Sequence, residues 1–250
     1  AGPAAVAETT AVVARAEASV EARRFAEAVA ELTRVKSAVG AAGEPHLALR
    51  YGMTLGWAIH HLGRLEEAAD VLGAAVSAAA GLDNADADHA DALYRLGVVR
   101  FKMGSHATSL ALLDEALRLA GAADRTSDAL RVRILNTRAK IRRRQKDFTA
   151  AAEDVEQALE LARALDDDRV LAETYLDASL VAERRNEYTR AREYAERSRA
   201  LFERVSDHEY VGKLLNNLGQ LHAITGRPAD AVPLLRESFR IAVEQDNRVD

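Results

Sequence analysis

Apolar residues recur along this chain at the i, i+3, i+4 spacing of an amphipathic helix. One such face comprises Leu93, Leu96 and Gly97, and a second face containing Leu113 follows after Gly104, a residue suited to a tight turn. No stretch alternates β-branched and polar residues, as a half-buried strand would. The pattern therefore predicts an all-α protein in which helices are paired through short turns.

The same two-helix unit is written six times, each copy marked by a small residue and a second small residue twelve positions later. The pairs are Ala16 and Ala28, Gly56 and Ala68, Gly97 and Ser109, Ala139 and Ala151, Ser179 and Ala191, and Gly219 and Ala231. Small residues are expected where two antiparallel helices cross closely. Because one hairpin cannot bury its apolar face alone, the repeats must stack. This predicts an α-solenoid of about six helix-turn-helix repeats.

The repeats predict one continuous solenoid over residues 8–250, preceded by a flexible segment over residues 1–7. The repeats are expected at roughly 8–40, 45–80, 87–120, 126–165, 167–205 and 207–245. The sequence at 246–249 restates the sequence at 167–170, where the fifth repeat begins. We therefore expect the chain to be a fragment of a longer array.

Composition narrows the function classes. The 250 residues include no cysteine, which excludes disulfides and cysteine-ligated metals. No apolar stretch approaches the roughly 18 residues that span a bilayer, and the first residues lack the features of a signal peptide. A cytoplasmic location is the resulting expectation. The net charge of −5 disfavours a general nucleic-acid binder.

The sequence contains no recognisable catalytic motif. Metalloprotease, phosphate-loop, nucleophile-elbow and EF-hand patterns are all missing. His60 and His61 are adjacent, and adjacent helical side chains point about 100° apart, so they are not expected to chelate one metal ion. The acidic run 166–168 is more simply explained as the start of a helix. We expect no enzymatic activity, no cofactor and no metal.

The repeat resembles the tetratricopeptide repeat. The matching residues are Leu55 and Gly56 with Gly63, Leu65, Ala68 and Ala75; Leu96 and Gly97 with Gly104, Ser109 and Ala116; and Leu218 and Gly219 with Gly226, Ala231 and Ser238. The resemblance implies a right-handed superhelix whose first helices line a concave groove. The period of 40 to 42 residues exceeds the usual 34. In this respect the chain resembles long-repeat arrays of bacterial regulatory and signalling proteins, including transcription regulators.

The resemblance also implies which side chains face the groove. The candidate partner-binding residues are Met53, Trp57, His60, Tyr94, Val98, Phe101, Arg133, Asn136, Lys140, Arg143 and Arg144. The second and third repeats contribute an apolar and aromatic strip. The fourth contributes a basic helix, since residues 131–146 hold eight cations and no acid. The basic run can also be read as a solvated helix face.

We interpret the chain as a non-enzymatic protein- or peptide-binding scaffold, an interaction or sensory module of a bacterial regulatory protein. Its expected partner is an acidic segment with apolar anchors, because arginines pair with carboxylates and aromatic side chains anchor interfaces. The alternative is a self-assembly module that stacks through the ends of the array. A nucleic-acid or nucleotide contact through the basic helix is a third possibility, disfavoured by the acidic remainder.

Overall fold

A computed structural model describes residues 2–122 and 128–246, which contain twelve α-helices and no β-strand. The helices are α1 (Pro3–Glu21), α2 (Phe25–Ala42), α3 (Pro45–His61), α4 (Leu65–Ala79), α5 (Asp86–Lys102), α6 (His106–Ala122), α7 (Asp128–Arg144), α8 (Phe148–Ala164), α9 (Asp168–Arg184), α10 (Tyr188–Arg204), α11 (His208–Ile224) and α12 (Pro228–Asp246). Consecutive helices pair as six hairpins, which confirms the predicted all-α repeat architecture.

A residue with positive φ turns the chain within every hairpin. In four hairpins this residue is Gly63, Gly104, Asn186 or Gly226, with φ angles between 61° and 82°. Arg23 and Lys146 take the same left-handed conformation, with φ of 60° and 65°, in the two hairpins that lack glycine or asparagine there. The left-handed turn is therefore present even where the residue that adopts it is neither glycine nor asparagine.

The small residues lie at the helix crossings, as predicted. The alanines of these pairs are at most 3% exposed, and Ser109 and Ser179 are fully buried. Each of these serines donates its hydroxyl to the backbone carbonyl of the facing helix, Ser109 to Gly97 and Ser179 to Ala191. A Cβ added to Gly56 would lie only 2.6 Å from Leu72 Cγ. A larger side chain at these positions would force the two axes apart.

The chain divides into two compact units, and one continuous solenoid over residues 8–250 stays a prediction. Unit 1 is Ala1–Ser127 and contains α1 to α6, and unit 2 is Asp128–Asp250 and contains α7 to α12. Helix α1 begins at Pro3, inside the segment expected to be flexible, and proline is favoured at the first helical position. The predicted start of the fourth repeat, residues 126 and 127, lies outside the described residues, as does the restated sequence from 247 onward.

Unit 2 is built from three stacked hairpins. Helix α9 contacts α7 and α8, and α10 contacts α11. We call α7, α9 and α11 the first helices, α8, α10 and α12 the second helices, and the face formed by the former the first-helix surface. Apolar side chains between the two sets form the core, in which Phe202 and Leu214 are fully buried.

Candidate functional site

Trp57 of α3 is the centre of the predicted aromatic strip and lies in unit 1. Its ring centroid is 6.2 Å from that of Tyr94 in α5 and 5.1 Å from that of His61. The guanidinium of Arg95 lies 5.5 Å from the centre of the Trp57 ring, within the range of a cation–π contact. Trp57 and Tyr94 are both half-buried, so part of each residue stays in contact with solvent.

Two of the other candidates in unit 1 are buried. Val98 and Phe101 are half-buried, but Met53 is 6% exposed and His60 is 3% exposed. Met53 packs in an apolar cluster with Leu49 and alanines of α4 and α5. Met53 and His60 therefore contribute to helix packing, and the expectation that they are exposed groove residues is wrong.

His60 is held in its neutral form. Burial lowers its pKa to about 4, and the positive charge of Lys102 and the neighbouring His61 act in the same direction. His60 Nδ1 has no hydrogen-bond partner among the described residues. Protonation of this side chain would place an uncompensated charge inside unit 1.

The predicted basic helix is α7, and at least four of the eight cations of residues 131–146 pair with carboxylates of unit 2. The pairs are Arg131 with Asp128 at 3.0 Å, Arg138 and Arg142 with Asp154 at 3.0 and 2.9 Å, and Lys140 with Asp177 at 3.2 Å. Asp154 is only 1% exposed. Much of the charge of α7 is therefore neutralised within the fold.

The Arg138–Asp154 pair stands at a register position that is apolar in most hairpins. The equivalent residues are Leu55 with Val71, Leu96 with Leu112, Ala178 with Tyr194, and Leu218 with Leu234. In the first hairpin, Arg15 and Glu31 occupy the same two positions and lie 3.7 Å apart. Arg15 and Arg138, which stand where most hairpins have an apolar residue, each have an acidic residue opposite them on the facing helix.

Polar contacts join α7 to α9 on the first-helix surface. Asn136 donates its amide to Thr174 Oγ1 at 2.9 Å, and Lys140 Nζ approaches Asp177 Oδ2. Asn136 is 6% exposed, which contradicts its predicted exposure, and its Oδ1 has no partner among the described residues. Burial raises the pKa of Asp177, although Lys140 opposes this shift.

The remaining candidates are three arginines of α7. Arg133 and Arg144 are exposed, whereas Arg143 is half-buried. Burial lowers the pKa of Arg143, Asp177 opposes the shift, and the like charges of Arg184 and Arg144 reinforce it. The described residues provide no ion pair for the Arg143 guanidinium within 4 Å. Arg143 thus combines partial burial with like charges nearby, and the carboxylates of Asp177 and Glu183 offset part of this.

The sequence reasoning missed two buried polar residues of the first helices, Asp177 and Asn217. Asn217 is 7% exposed, and neither atom of its amide group has a hydrogen-bond partner among the described residues. The two residues are forty positions apart and stand two residues before Ser179 and Gly219. A comparison of the polar residues at equivalent positions of the repeats could have identified Asp177 and Asn217.

The structure thus places the aromatic candidates in unit 1 and the basic candidates in unit 2. Within each unit, the residues named above lie on neighbouring helices. In the described ranges 2–122 and 128–246, no group of three side chains could hold a metal ion. None of the helices described here has both the length and the apolar character needed to cross a membrane.

Solved structures share this fold at low sequence identity. BtubC from P. vanneervenii superposes with a TM-score of 0.70 at 20% identity, over 95% of this chain and 92% of that one. The apo form of RapI gives a TM-score of 0.72 at 15% identity, over 94% and 77% of the two chains. A Rap protein complexed with Competence and Sporulation Factor gives 0.69 at 17% identity, over 87% and 60%.

No curated protein sequence matches the chain. The family model described as tetratricopeptide repeat matches residues 88–164, 130–204 and 170–242, which together cover more than half of the sequence. The matched residues span the third to the sixth hairpin. The chain belongs to the tetratricopeptide repeat family.

Proposed function

We propose that this chain is a non-enzymatic scaffold that binds a protein or peptide segment, acting in the cytoplasm as an interaction module of a bacterial regulatory protein. The family membership supports an interaction role. One structural neighbour is a Rap protein in complex with Competence and Sporulation Factor, which supports a regulatory context. The proposed partner is an acidic segment with apolar anchors.

The observation that carries the proposal is the state of Arg143. Its guanidinium is half-buried beside Arg184 and Arg144, and burial lowers its pKa. A carboxylate that approaches Arg143 would gain a charge-assisted hydrogen bond, for which the guanidinium offers a bidentate geometry. The same carboxylate would relieve repulsion among the three arginines, so an acidic side chain fits this position.

Half-buried aromatic residues of unit 1 also suit a peptide. Trp57 and Tyr94 offer aromatic and apolar area to an anchor side chain. The pairing of Arg138 and Arg142 with Asp154 leaves less charge for a phosphate backbone, which weakens the nucleic-acid alternative.

The test is a selection from a random peptide library displayed on phage, performed in parallel on the wild-type chain, Arg143→Gln and Arg131→Gln. Arg131 is the matched control because it lies on the same helix but pairs with Asp128. We expect peptides enriched in acidic and apolar residues from the wild type and the control, and loss of the acidic enrichment with Arg143→Gln. Equal acidic enrichment with all three proteins would refute the proposal.

Self-association is the second candidate function, and α12 provides the observation that favours it. Val232, Leu235, Phe239 and Val243 are 44%, 36%, 71% and 42% exposed and recur at helical spacing. Exposed apolar stripes of this kind mark interaction surfaces. A second copy of the chain could cover this stripe.

Light scattering across a dilution series tests this second candidate. The wild type should show a mass that falls on dilution, and Phe239→Glu should be monomeric at all concentrations. Arg236→Ala serves as the control because Arg236 is exposed on the same helix and is not apolar. A monomeric wild type would exclude self-association through α12.

A further inference from the structure

A cavity of about 510 Å³ opens in unit 2 between the second helices α10 and α12, over the first helix α11. Val211, Leu215 and Ile241 provide its apolar floor, and each of them is at most 8% exposed. Its size lies within the range of small-molecule sites, roughly 300 to 1,000 Å³. The cavity lies away from the candidate arginines of α7.

Charged side chains surround the apolar floor. Glu203, Glu237 and Glu244 contribute three carboxylates, and Arg199 and Arg240 contribute two guanidiniums. Arg199 Nε lies 3.6 Å from Glu203, and Arg240 pairs with Glu237 and Glu244. The formal charges of these five side chains sum to −1, and His208 adds a further titratable group to the lining.

The equivalent site one repeat earlier, formed by α8, α9 and α10, shows what can fill this space. Forty residues earlier than Glu203, Leu215 and Glu237 stand Arg163, Tyr175 and Arg197. Tyr175 is 7% exposed, and its ring lies in the core of α8, α9 and α10. Arg163 Nε and Arg197 Nη1 each lie 3.5 Å from the Tyr175 hydroxyl oxygen, and both guanidiniums lie within 6 Å of the ring centre.

The two equivalent sites therefore differ in volume and in charge. Leucine in place of tyrosine removes an aromatic ring and leaves space above Leu215. Glutamates in place of arginines exchange two cations, which hold an oxygen acceptor, for two anions. A cationic donor would therefore suit the cavity better than the oxygen acceptor that Tyr175 presents in the neighbouring site.

We propose that this cavity binds a small arylalkylamine, an aromatic ring that carries a protonated amine. The ring would pack on Val211, Leu215 and Ile241, where burial of apolar area favours binding. The ammonium group would donate to Glu203 and Glu237, whose equivalents in the neighbouring site are Arg163 of α8 and Arg197 of α10. The site is independent of the first-helix surface and of the segment proposed to bind there.

Three probes that share a substituted phenol ring test the charge preference by isothermal titration calorimetry. They are tyramine, which is cationic, 4-ethylphenol, which is neutral, and 4-hydroxyphenylacetate, which is anionic at neutral pH. We expect tyramine to bind at least fivefold more tightly than 4-ethylphenol, and 4-hydroxyphenylacetate to show no binding. No binding of tyramine, or equal binding of tyramine and the anion, would overturn the proposal.

Two variants locate the binding. Leu215→Tyr introduces the residue that the preceding hairpin has at this position, and it should abolish tyramine binding by filling the cavity. Glu237→Gln changes an exposed carboxylate with little risk to folding, and it should weaken tyramine binding at least fivefold and leave 4-ethylphenol unaffected. Circular dichroism confirms that each variant is folded. Tyramine binding that is unchanged in both variants would place the ligand elsewhere and refute the site.

A reciprocal variant distinguishes specific binding at the cavity from a general affinity of the protein for amines. Tyr175→Leu should open the equivalent space between Arg163 and Arg197, whose charges favour an anion. We expect this variant to bind 4-hydroxyphenylacetate and still to bind tyramine at the original cavity. A folded Tyr175→Leu protein that binds no anion would contradict the inference that the two flanking charges set the preference.

Discussion

Replacing Asp154 by leucine tests how the basic helix is held in the fold. Asp154 is 1% exposed, and its partners Arg138 and Arg142 keep 13% and 21% of their side chains exposed. Removing one partner of a buried ion pair typically costs 3 to 5 kcal/mol, because the other charge stays buried and uncompensated. Since both arginines retain some contact with water, we expect Asp154→Leu to cost about 3 kcal/mol, at the lower end of this range.

The double variant Arg138→Leu with Asp154→Leu is the decisive comparison. The third hairpin has leucines at both equivalent positions, Leu96 and Leu112. An apolar pair of suitable volume often replaces a buried ion pair without loss of stability. The double variant should therefore recover at least half of the stability that the single variant loses. Arg142 keeps its hydrogen bond to the carbonyl of Ala150, which limits its own penalty.

Urea-induced unfolding followed by far-UV circular dichroism measures both effects. The fluorescence of Trp57, the one tryptophan in the chain, reports on unit 1 in the same samples. If Asp154→Leu unfolds at the wild-type urea concentration, the buried carboxylate does not stabilise the hairpin. If the double variant is as unstable as the single one, positions 138 and 154 do not accept an apolar pair. The inference from the apolar pairs at the equivalent positions of other hairpins would then be wrong.

Two further predictions concern unit 1. The pKa of His60 falls from 6.5 in the unfolded chain to about 4 in the fold, so the unfolded state binds more protons between these values. The contribution of His60 to stability, measured by Trp57 fluorescence, should be constant above pH 6.5, fall by about 3 kcal/mol as the pH drops to 4, and change no further below pH 4. The variant His60→Leu should lack this pH dependence. An unchanged profile in His60→Leu would assign the pH dependence to another group. Gly56→Ala should cost about 1 to 3 kcal/mol because its Cβ would meet Leu72, whereas Gly73→Ala, with open space at Cβ, should be neutral or stabilising by up to about 1 kcal/mol. Equal denaturation midpoints for the two glycine variants would contradict the close crossing.

The helix pairs and their crossings could be predicted because both depend on local chemistry repeated six times. A small residue is needed wherever two helices approach closely, and a residue that tolerates positive φ is needed in each tight turn. Arg23 and Lys146 escaped notice because their side chains give no sign of a left-handed conformation. Their position, seven residues after the first small residue, was the available signal.

The candidate site was predicted less well because burial depends on neighbours that the family pattern does not specify. His60 occupies a groove position but packs against Trp57, with ring centroids 4.9 Å apart. The basic run gave no sign of Asp154, which lies on the facing helix and removes two of its charges from the surface. Aligning the hairpins in the sequence would have shown an acidic residue opposite each arginine that occupies a normally apolar position, as Glu31 is opposite Arg15.

The most direct test of the proposed function is a titration of one selected acidic peptide, labelled with fluorescein, against the wild type, Arg143→Gln and Arg131→Gln. Fluorescence anisotropy at low and high salt gives the dissociation constants. We predict that Arg143→Gln weakens binding about tenfold at low salt and less at high salt, because salt screens a charge pair at a partly exposed site. The control Arg131→Gln should change the dissociation constant less than twofold. Equal dissociation constants for the wild type and Arg143→Gln at both salt concentrations would contradict the proposal that Arg143 on α7 receives the acidic segment.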